Sequence, residues 1–196
     1  MDDIVKQAMA KWPNVPHCYG WLALDARGGW RMRDDHAQQA NLPGDRVNNG
    51  ALLAFINRNY AADERGCWYF QNGPQRVYVN LETTPYVART DPTQGLVVQT
   101  GEALGPVSHV YMTAAGALIF EAAGKLAQAD DRDVAQLIAA MEMDGAAVGD
   151  EALMAWLETG HGAVSLRLTD ARIDVARLID DDLGRRFGFV ASPHAA

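Results

Sequence analysis

The sequence contains one acid/base cluster, the consecutive residues Asp34-Asp35-His36. A histidine beside carboxylates titrates near neutral pH, which is the range that general acid–base catalysis uses. No nucleophile lies beside this cluster in the sequence, and consecutive polar residues in a loop are commonly just solvated. We therefore take His36 and Asp35, together with His17, as the candidate catalytic residues of a small enzyme. A solvated loop is the alternative.

Residues 67–81, CWYFQNGPQRVYVNL, predict a β-hairpin with a polar tip. Asn72-Gly73 is a strong hairpin signal, and Pro74 leaves a four-residue loop as open as a two-residue loop. Either loop is even, so the pleat sorts the side chains identically. The face expected to join the core carries Trp68, Phe70, Val77, Val79 and Leu81. The face expected outside carries Cys67, Tyr69, Gln71, Arg76, Tyr78 and Asn80.

The outer face of this hairpin supplies the candidate ligand-binding residues Tyr69, Arg76 and Tyr78. Arginine together with aromatic rings suits a carboxylate-bearing or planar ligand, through hydrogen bonds and cation–π contacts. The alternative is that the tyrosines and the arginine simply stack on the solvated side of a sheet. We predict that this face is a ligand-binding surface.

Two further groups of residues have chemical potential. Asn48-Asn49-Gly50, preceded by Arg46, could hold an anion at the start of a helix, although helix capping explains the asparagines equally well. The pair His17-Cys18, joined by Cys67, could supply ligands to zinc, but neighbours on a strand point to opposite faces. We expect no metal and no cofactor.

Short motifs of the large enzyme classes are missing from the sequence. It has no G-x-x-x-x-G-K-[ST], G-x-G-x-x-G, H-E-x-x-H or G-x-S-x-G, and no paired C-x-x-C. These absences argue against enzyme classes that such motifs mark. They leave open a small enzyme without a short motif, such as a hydrolase.

The charge distribution argues against a nucleic-acid partner. The net charge is −8, with ten Lys and Arg against nine Asp and Glu in residues 1–90, and seven against sixteen in residues 91–196. Binding to phosphate backbones needs a basic face, and no Lys/Arg cluster is present. No apolar run approaches the ~20 residues of a membrane span, the N-terminal stretch is unlike a secretory signal, and two cysteines fit a reducing cytoplasm. We therefore expect a cytoplasmic protein with no membrane partner.

The hydrophobic patterns predict an α+β fold. They indicate a helix over 2–12, a hairpin over 19–33, a polar loop over 34–47 and a helix over 50–61. The hairpin of residues 67–81 follows. Later segments predict helices starting near Asp130 and at Asp150, and strands over 172–179 and 185–190. Strands that follow one another in runs favour β-rich, roll-like halves, each with antiparallel hairpins packed on one or two helices. We place the halves at 1–92 and 93–196; the recurring order of elements leaves a diverged duplication open.

Several motifs together resemble a known family. They are GWLALDARGGW, LLAFINRNY, YFQNGPQRVYVNLETTPYVA and YMTAAGALIF. Their layout over residues 19–125 resembles the bacterial domain of unknown function 1285, in which a G-x-W hairpin leads through a helix to a strand pair and an acidic-x-x-P-[FY] turn, here Glu82 to Tyr86. The resemblance implies a two-part α+β fold of β-rich rolls. It supplies no catalytic residues.

These observations favour a non-catalytic module that binds a small molecule or a protein partner. The motif-less enzyme built on residues 34–36 is the first alternative. A structural homo-oligomer is the second, because the ribbon SHVYMTAAGALIF is apolar enough to be buried against a second copy.

Overall fold

A computed structural model describes residues 1–169, 171–179 and 182–195. Within these residues the chain forms helices and two mixed sheets, so the predicted α+β fold is confirmed. The helices are α1 (Asp3–Lys11), α2 (Asp35–Gln39), α3 (Gly50–Arg58), α4 (Val134–Ala139), α5 (Asp150–Thr159) and α6 (Leu183–Phe187). The strands are β1 (Cys18–Leu24), β2 (Trp30–Met32), β3 (Asp45–Arg46), β4 (Tyr60–Ala62), β5 (Trp68–Asn72), β6 (Gln75–Leu81), β7 (Tyr86–Asp91), β8 (Gly95–Val98), β9 (Val107–Thr113), β10 (Leu118–Ala122), β11 (Lys125–Ala129), β12 (Met141–Met143), β13 (Ala146–Ala147), β14 (Val164–Arg167) and β15 (Arg172–Leu178).

The chain divides into two compact units, each with its own sheet. The first unit comprises Met1–Pro85, Gln99–Gly101 and Leu183–Ala196, and the second comprises Tyr86–Val98 and Glu102–Asp182. The predicted boundary at 92/93 falls inside the second unit, because β7 pairs there with both β8 and β11. The last part of the chain belongs to the first unit, because Val190 bridges to Cys67 in that unit.

The two units repeat one strand order. The first sheet runs β3-β2-β1-β6-β5-β4, and the second contains β11-β10-β9-β15-β14-β12 in the same arrangement. Within these six strands of each unit the two middle strands are parallel, β1 with β6 and β9 with β15, while the outer pairs are antiparallel. Strand β13 extends one edge of the second sheet, and the pair β7 and β8 extends the other. This shared topology is the pattern expected of a diverged duplication.

The turn after the first strand of each repeat has the same hydrogen bonds. In the first unit the Gly28 N–H donates to the Asp25 carbonyl at 3.0 Å, and the Gly29 N–H donates to the Asp25 side chain at 2.7 Å. In the second unit, Gly116 and Ala117 donate to the carbonyl and hydroxyl of Thr113 in the same way, at 2.9 and 3.0 Å. Glycine occupies the third turn position of both because the backbone there has a positive φ.

The apolar ribbon of residues 108–120 forms the centre of the second sheet. Strands β9 and β10 pair so that Met112 faces Leu118 and Val110 faces Phe120, and all four side chains are buried. They belong to a core that includes Trp156 of α5 and further apolar residues of the second unit. The ribbon's burial is therefore explained within the unit, and homo-oligomerisation stays a prediction without this support.

Helix α3 is capped by Asn49 and packs against the first sheet. The Asn49 side chain accepts a hydrogen bond from the Leu52 N–H at 2.9 Å and caps the helix, as the capping alternative predicted. The ring of Phe55 on this helix packs edge-on against Phe70 of β5, with 5.3 Å between the centroids. The helix ends at Arg58 rather than near residue 61, because residues 60–62 pair with β5 as strand β4.

Two sequence predictions about secondary structure are wrong. The segment predicted as a polar loop at 34–47 contains helix α2 and strand β3, because Asp34 caps a short helix and Arg46 pairs with Arg31. In the segment predicted as a strand at 185–190, the first three residues belong to helix α6. In that segment Gly188 has a φ of +73° just after the helix, and only Val190 pairs like a strand residue.

None of the helices formed by the described residues has the length and apolar content needed to cross a bilayer.

Candidate functional site

The hairpin of β5 and β6 is joined by the two-residue turn Gly73-Pro74. Asn72 pairs with Gln75, Tyr69 with Tyr78, and Phe70 with Val77. This register puts the two tyrosines on one face and Phe70 on the other, as pleat geometry predicted.

The expectation that this face lies on the outside of the protein is wrong for its tyrosines. Tyr78 is 1% exposed and Tyr69 is 6% exposed, whereas Arg76 is half-buried. The ring of Tyr19, on the adjacent strand β1, stacks on Tyr78 at 4.6 Å with 4° between the planes. Val190 of the C-terminal segment also packs against the tyrosines. Sequence reasoning missed this cover because it comes from distant parts of the chain.

Asp63, in the turn between β4 and β5, is the acceptor at the centre of the polar contacts. Its carboxylate accepts hydrogen bonds from the Tyr78 hydroxyl at 2.9 Å and from the Cys67 N–H at 3.0 Å. It also accepts the backbone N–H of Arg65 at 3.0 Å and its guanidinium at 3.1 Å. Burial alone would raise the pKa of Asp63, but these donors hold it below the usual range.

Two arginines lie beside the tyrosines, Arg65 in the turn before β5 and Arg76 on β6. The Arg65 guanidinium donates to the Tyr78 hydroxyl at 3.3 Å, and the Arg65 side chain remains 49% exposed. The Arg76 guanidinium lies over the Tyr69 ring, 4.6 Å from its centre. Burial opposes the charge on Arg76, yet its contacts with the two tyrosines raise its pKa. We call the set Tyr19, Asp63, Arg65, Tyr69, Arg76 and Tyr78 the tyrosine–arginine cluster.

The cluster has an excess of positive charge. Arg65 is paired with Asp63, while Asp63 acts on Arg76 only through space. One carboxylate therefore faces two guanidinium groups. Burial is the main reason that the pKa of Tyr78 is raised, so this hydroxyl stays neutral at physiological pH and does not offset the excess.

We expect Tyr78→Phe to lower the free energy of unfolding by about 1 to 1.5 kcal/mol, because the buried hydroxyl bonded to Asp63 is lost. Tyr69→Phe is the matched control. Tyr69 is the directly opposite residue of the hairpin, and its hydroxyl makes no bond to Asp63. Urea denaturation followed by circular dichroism measures both variants. Equal losses in the two would show that the Asp63 contact does not hold the cluster together.

The predicted acid/base cluster is the start of a short helix. The Asp34 side chain accepts the Ala37 N–H at 2.8 Å and serves as the N-cap of α2, while Asp35 and His36 are exposed in its first turn. His17 is also exposed and lies edge-on to the Tyr78 ring, with 5.7 Å between the centroids. No contact of the described residues joins His17 to His36. The catalytic assignment of these three residues stays a prediction.

The cysteines are free thiols in different surroundings. Cys18 is half-buried and Cys67 is buried, and burial raises the pKa of the Cys67 thiol. Across the described ranges, no three His, Cys, Asp or Glu side chains come together as a metal site requires.

The start of α3 borders a small polar cleft of about 210 Å³ in the first unit. Arg46 and Asn48 lie on one side, and Asn57 and Gln99 lie on another. Asn57 accepts the Trp30 indole N–H at 2.8 Å and donates to the Gln99 carbonyl at 3.3 Å. The predicted anion site at Arg46 and Asn48 therefore has space beside it, and its occupation remains a prediction.

Sequence reasoning missed Asp63, Arg65 and Tyr19. One local signal was available, because an aspartate followed by glycine three residues later is typical of a turn in which the side chain accepts backbone N–H groups. Nothing local indicates that this turn meets Tyr78, fifteen residues away.

The family model DUF2944, described as "Protein of unknown function (DUF2946)", matches residues 1–194. Among solved structures, a DUF1285 family protein from Silicibacter pomeroyi DSS-3 is similar, with a TM-score of 0.50 and 14% sequence identity over 90% of this chain and 96% of that chain. No curated protein matches. At that identity the likeness establishes the fold alone, and at that level the resemblance drawn from the sequence motifs is confirmed.

Proposed function

This chain belongs to the DUF2944 family of proteins of unknown function, and from that premise we propose that it is a non-catalytic binding module. Its ligand is a small molecule with a carboxylate on a planar body. The binding residues are Arg76 and Arg65, supported by Tyr69 and Tyr78. The observation that carries the proposal is that two guanidinium groups lie beside the buried tyrosines, one bonded to the Tyr78 hydroxyl and one over the Tyr69 ring, with a single carboxylate to balance them.

The unbalanced charge favours an anionic ligand. A guanidinium group presents a planar set of N–H donors that matches the two oxygens of a carboxylate. The Arg76 guanidinium lies over the Tyr69 ring, and a cation held by a ring in this way keeps N–H groups for other acceptors. The tyrosines therefore orient the donors that a carboxylate needs.

Because the two tyrosines are buried, they support the two arginines and do not contact the ligand themselves. A ligand would meet the exposed part of Arg65, the half-buried Arg76 and the rim formed by His17 and Tyr19. His17 and Tyr19 both present rings next to Tyr78. A planar body bound through its carboxylate can pack against these rings. Binding such a ligand requires no catalytic group in the protein.

We expect benzoate to stabilise the protein in a thermal-shift titration, and neutral benzamide to do so far less. Benzoate supplies the planar ring and carboxylate, whereas benzamide has the same shape without the charge. Arg76→Gln should weaken benzoate binding about tenfold or more, because one charge-assisted bidentate contact is lost. The melting temperature of the unliganded variant reports any loss of packing on Tyr69 separately.

The control variant is Arg46→Gln, which removes the same charge beside the small cleft of the first unit. Binding of benzoate should be unchanged in this variant. If Arg46→Gln abolished binding and Arg76→Gln did not, the ligand would belong at the start of α3. Equal stabilisation by benzamide would instead contradict the requirement for a carboxylate.

We also propose a reducing compartment such as the cytoplasm as the site of action. Cys18 and Cys67 are both free thiols, and neither takes part in a disulfide bond. Proteins that function in oxidising compartments commonly use their cysteines in disulfides.

A further inference from the structure

The second unit contains a cleft of about 810 Å³ that has no link to the tyrosine–arginine cluster. Its size falls within the range of small-molecule sites in proteins, roughly 300 to 1,000 Å³. It is lined by residues of α4, of the end of β14, of the start of β15 and of the turn after β7. All of the described residues that line it belong to the second unit.

The cleft is apolar along most of its length. Leu96 of β8, Val107 of β9, Leu137 of α4 and Ile173 of β15 line it. Leu96 and Leu137 are nearly fully buried members of the core of this unit, so they connect the lining of the cleft to core packing. Val107 and Ile173 are half-buried, and an apolar body of a ligand would remove their remaining surface from water, which is favourable in proportion to the area buried.

One cationic side chain stands at the cleft. The Arg167 backbone N–H donates to the Ala140 carbonyl at 3.1 Å, which ties the end of β14 to the end of α4. The Arg167 residue is exposed, and its guanidinium has no ion pair within the described part of the chain. It is therefore available to an acidic group of a ligand in the cleft.

Asp91, the other charged residue among the described residues of the lining, is already engaged by the backbone. Asp91 accepts the N–H groups of Gln94 and Thr93, each at 2.8 Å, and these hydrogen bonds lower its pKa. The hydrogen bonds of its carboxylate therefore come from the turn that follows β7. The Asp91 carboxylate already accepts hydrogen bonds from its own turn, whereas the Arg167 guanidinium keeps its donors for a ligand, which favours an acidic group over a cation.

The corresponding helix end in the first unit is bonded to another segment of the chain. Helix α3 corresponds to α4 in the repeated strand order, and its last residues are held by the segment that leads into α1. The Asp2 N–H donates to the Asn59 side chain at 2.8 Å, and the Asp2 carboxylate pairs with Arg58 at 3.3 Å. In the second unit the corresponding end of the helix, Ala140, lines the open cleft.

We propose that this cleft binds an amphipathic carboxylate, with an apolar chain along Leu96, Leu137 and Ile173 and the acid group on Arg167. The ligand class is that of a medium-chain fatty acid or a molecule with the same two ends. This site is independent of the one assigned to the tyrosine–arginine cluster, and either can fail without the other.

The test compares three C10 probes by isothermal titration calorimetry, below the concentrations at which they form micelles. Decanoate should bind about tenfold more tightly than decanol, because the charged hydrogen bond to Arg167 adds to the same apolar contact. Arg167→Gln should remove that preference and leave decanol binding unchanged. Arg46→Gln is the matched control, since Arg46 is an exposed arginine of the first unit that does not line this cleft.

A second variant keeps the test decisive. Gln136 is exposed on α4 and lines the cleft, so Gln136→Trp should fill it and weaken both probes without disturbing the core. Decylamine binding more tightly than decanoate would assign the polar end to Asp91 and overturn the proposal. Absence of binding by all probes, with a wild-type dimer that Gln136→Trp converts to a monomer in sedimentation, would make the cleft an interface between copies and equally overturn it.

Discussion

Replacing Gly66 by alanine is expected to lower the free energy of unfolding by about 3 kcal/mol or more. Gly66 has a φ of +76°, which costs a non-glycine residue about 1 kcal/mol. A Cβ at this position would lie 2.2 Å from the Gly188 carbonyl oxygen and 3.1 Å from the Phe189 Cα. Both are backbone atoms, so the clash can be relieved only by moving the C-terminal segment away, and overpacking of this kind costs about 1 to 3 kcal/mol.

The control for this prediction is Gly73→Ala in the hairpin turn. Gly73 also has a positive φ, of +56°, but a Cβ there would meet nothing within 4 Å. The control measures the backbone cost alone, and a loss of about 1 kcal/mol is expected. Urea denaturation of the two variants gives the difference. Equal destabilisation would mean that a Cβ at position 66 does not clash with the C-terminal segment.

The position of Gly66 has a consequence for the tyrosine–arginine cluster. Its carbonyl accepts the Val190 N–H at 3.0 Å, and the Leu81 N–H donates to the Ala191 carbonyl at 2.8 Å. These bonds hold Val190 against the buried tyrosines. In Gly66→Ala the tyrosines should therefore become more accessible to solvent, which a solvent-perturbation spectrum in the near ultraviolet measures.

The local features of the fold could be predicted from the sequence because each of them depends only on neighbouring residues. Asn49 caps α3 because its side chain reaches the Leu52 N–H three residues later. The hairpin at Gly73 sorts Tyr69 and Phe70 to opposite faces because pleating has a period of two. Such features need no knowledge of the rest of the chain.

Burial could not be predicted in the same way, because it depends on contacts between distant segments. Tyr78 is covered by Tyr19, fifty-nine residues earlier, and it is bonded to Asp63 in another turn. A polar and aromatic face has the same sequence pattern whether solvent or another segment of the chain covers it. The sequence therefore predicted which residues share a face and not how exposed that face is.

The repeated topology was hidden for a related reason. Residues 25–29 of the first unit and residues 113–117 of the second correspond. They share one alanine, one glycine and a turn geometry, but not the residue type that accepts the side-chain hydrogen bond. Asp25 and Thr113 both supply a side-chain oxygen to the same N–H position. Different residue types satisfy one hydrogen-bond requirement, so the repeat is visible in backbone contacts before it is visible in sequence.

Asp130→Asn is expected to lower the free energy of unfolding at pH 7 by about 2 kcal/mol. The Asp130 side chain is fully buried, and its carboxylate accepts the Arg132 backbone N–H at 3.0 Å and its Nε–H at 2.8 Å. A second guanidinium N–H of Arg132 also donates to it, and Arg89 lies 4.0 Å away. The Arg132 guanidinium is the main cause that lowers the pKa of Asp130 to about 2 from an ordinary value of 3.8. A difference of this size corresponds to about 2 kcal/mol.

The dependence of this effect on pH separates charge from packing. A carboxyl group whose folded pKa lies below its unfolded value contributes stability that is complete above the unfolded value. That contribution is lost as the pH falls from about 4 towards 2. The difference between wild type and Asp130→Asn, measured by urea denaturation at pH 7, 5 and 3, should therefore be constant at the first two values and smaller at the third.

Asp3→Asn provides the comparison, because Asp3 is 88% exposed and pairs with Lys6 in the first turns of α1. Exposed ion pairs contribute little, so a loss of no more than about 0.5 kcal/mol is expected. A difference for Asp130→Asn that is as large at pH 3 as at pH 7 would assign its stability to shape and hydrogen bonding that the amide cannot reproduce. A difference that vanishes with acid would instead assign it to the charge, which is the outcome that the two guanidinium groups around a buried carboxylate imply.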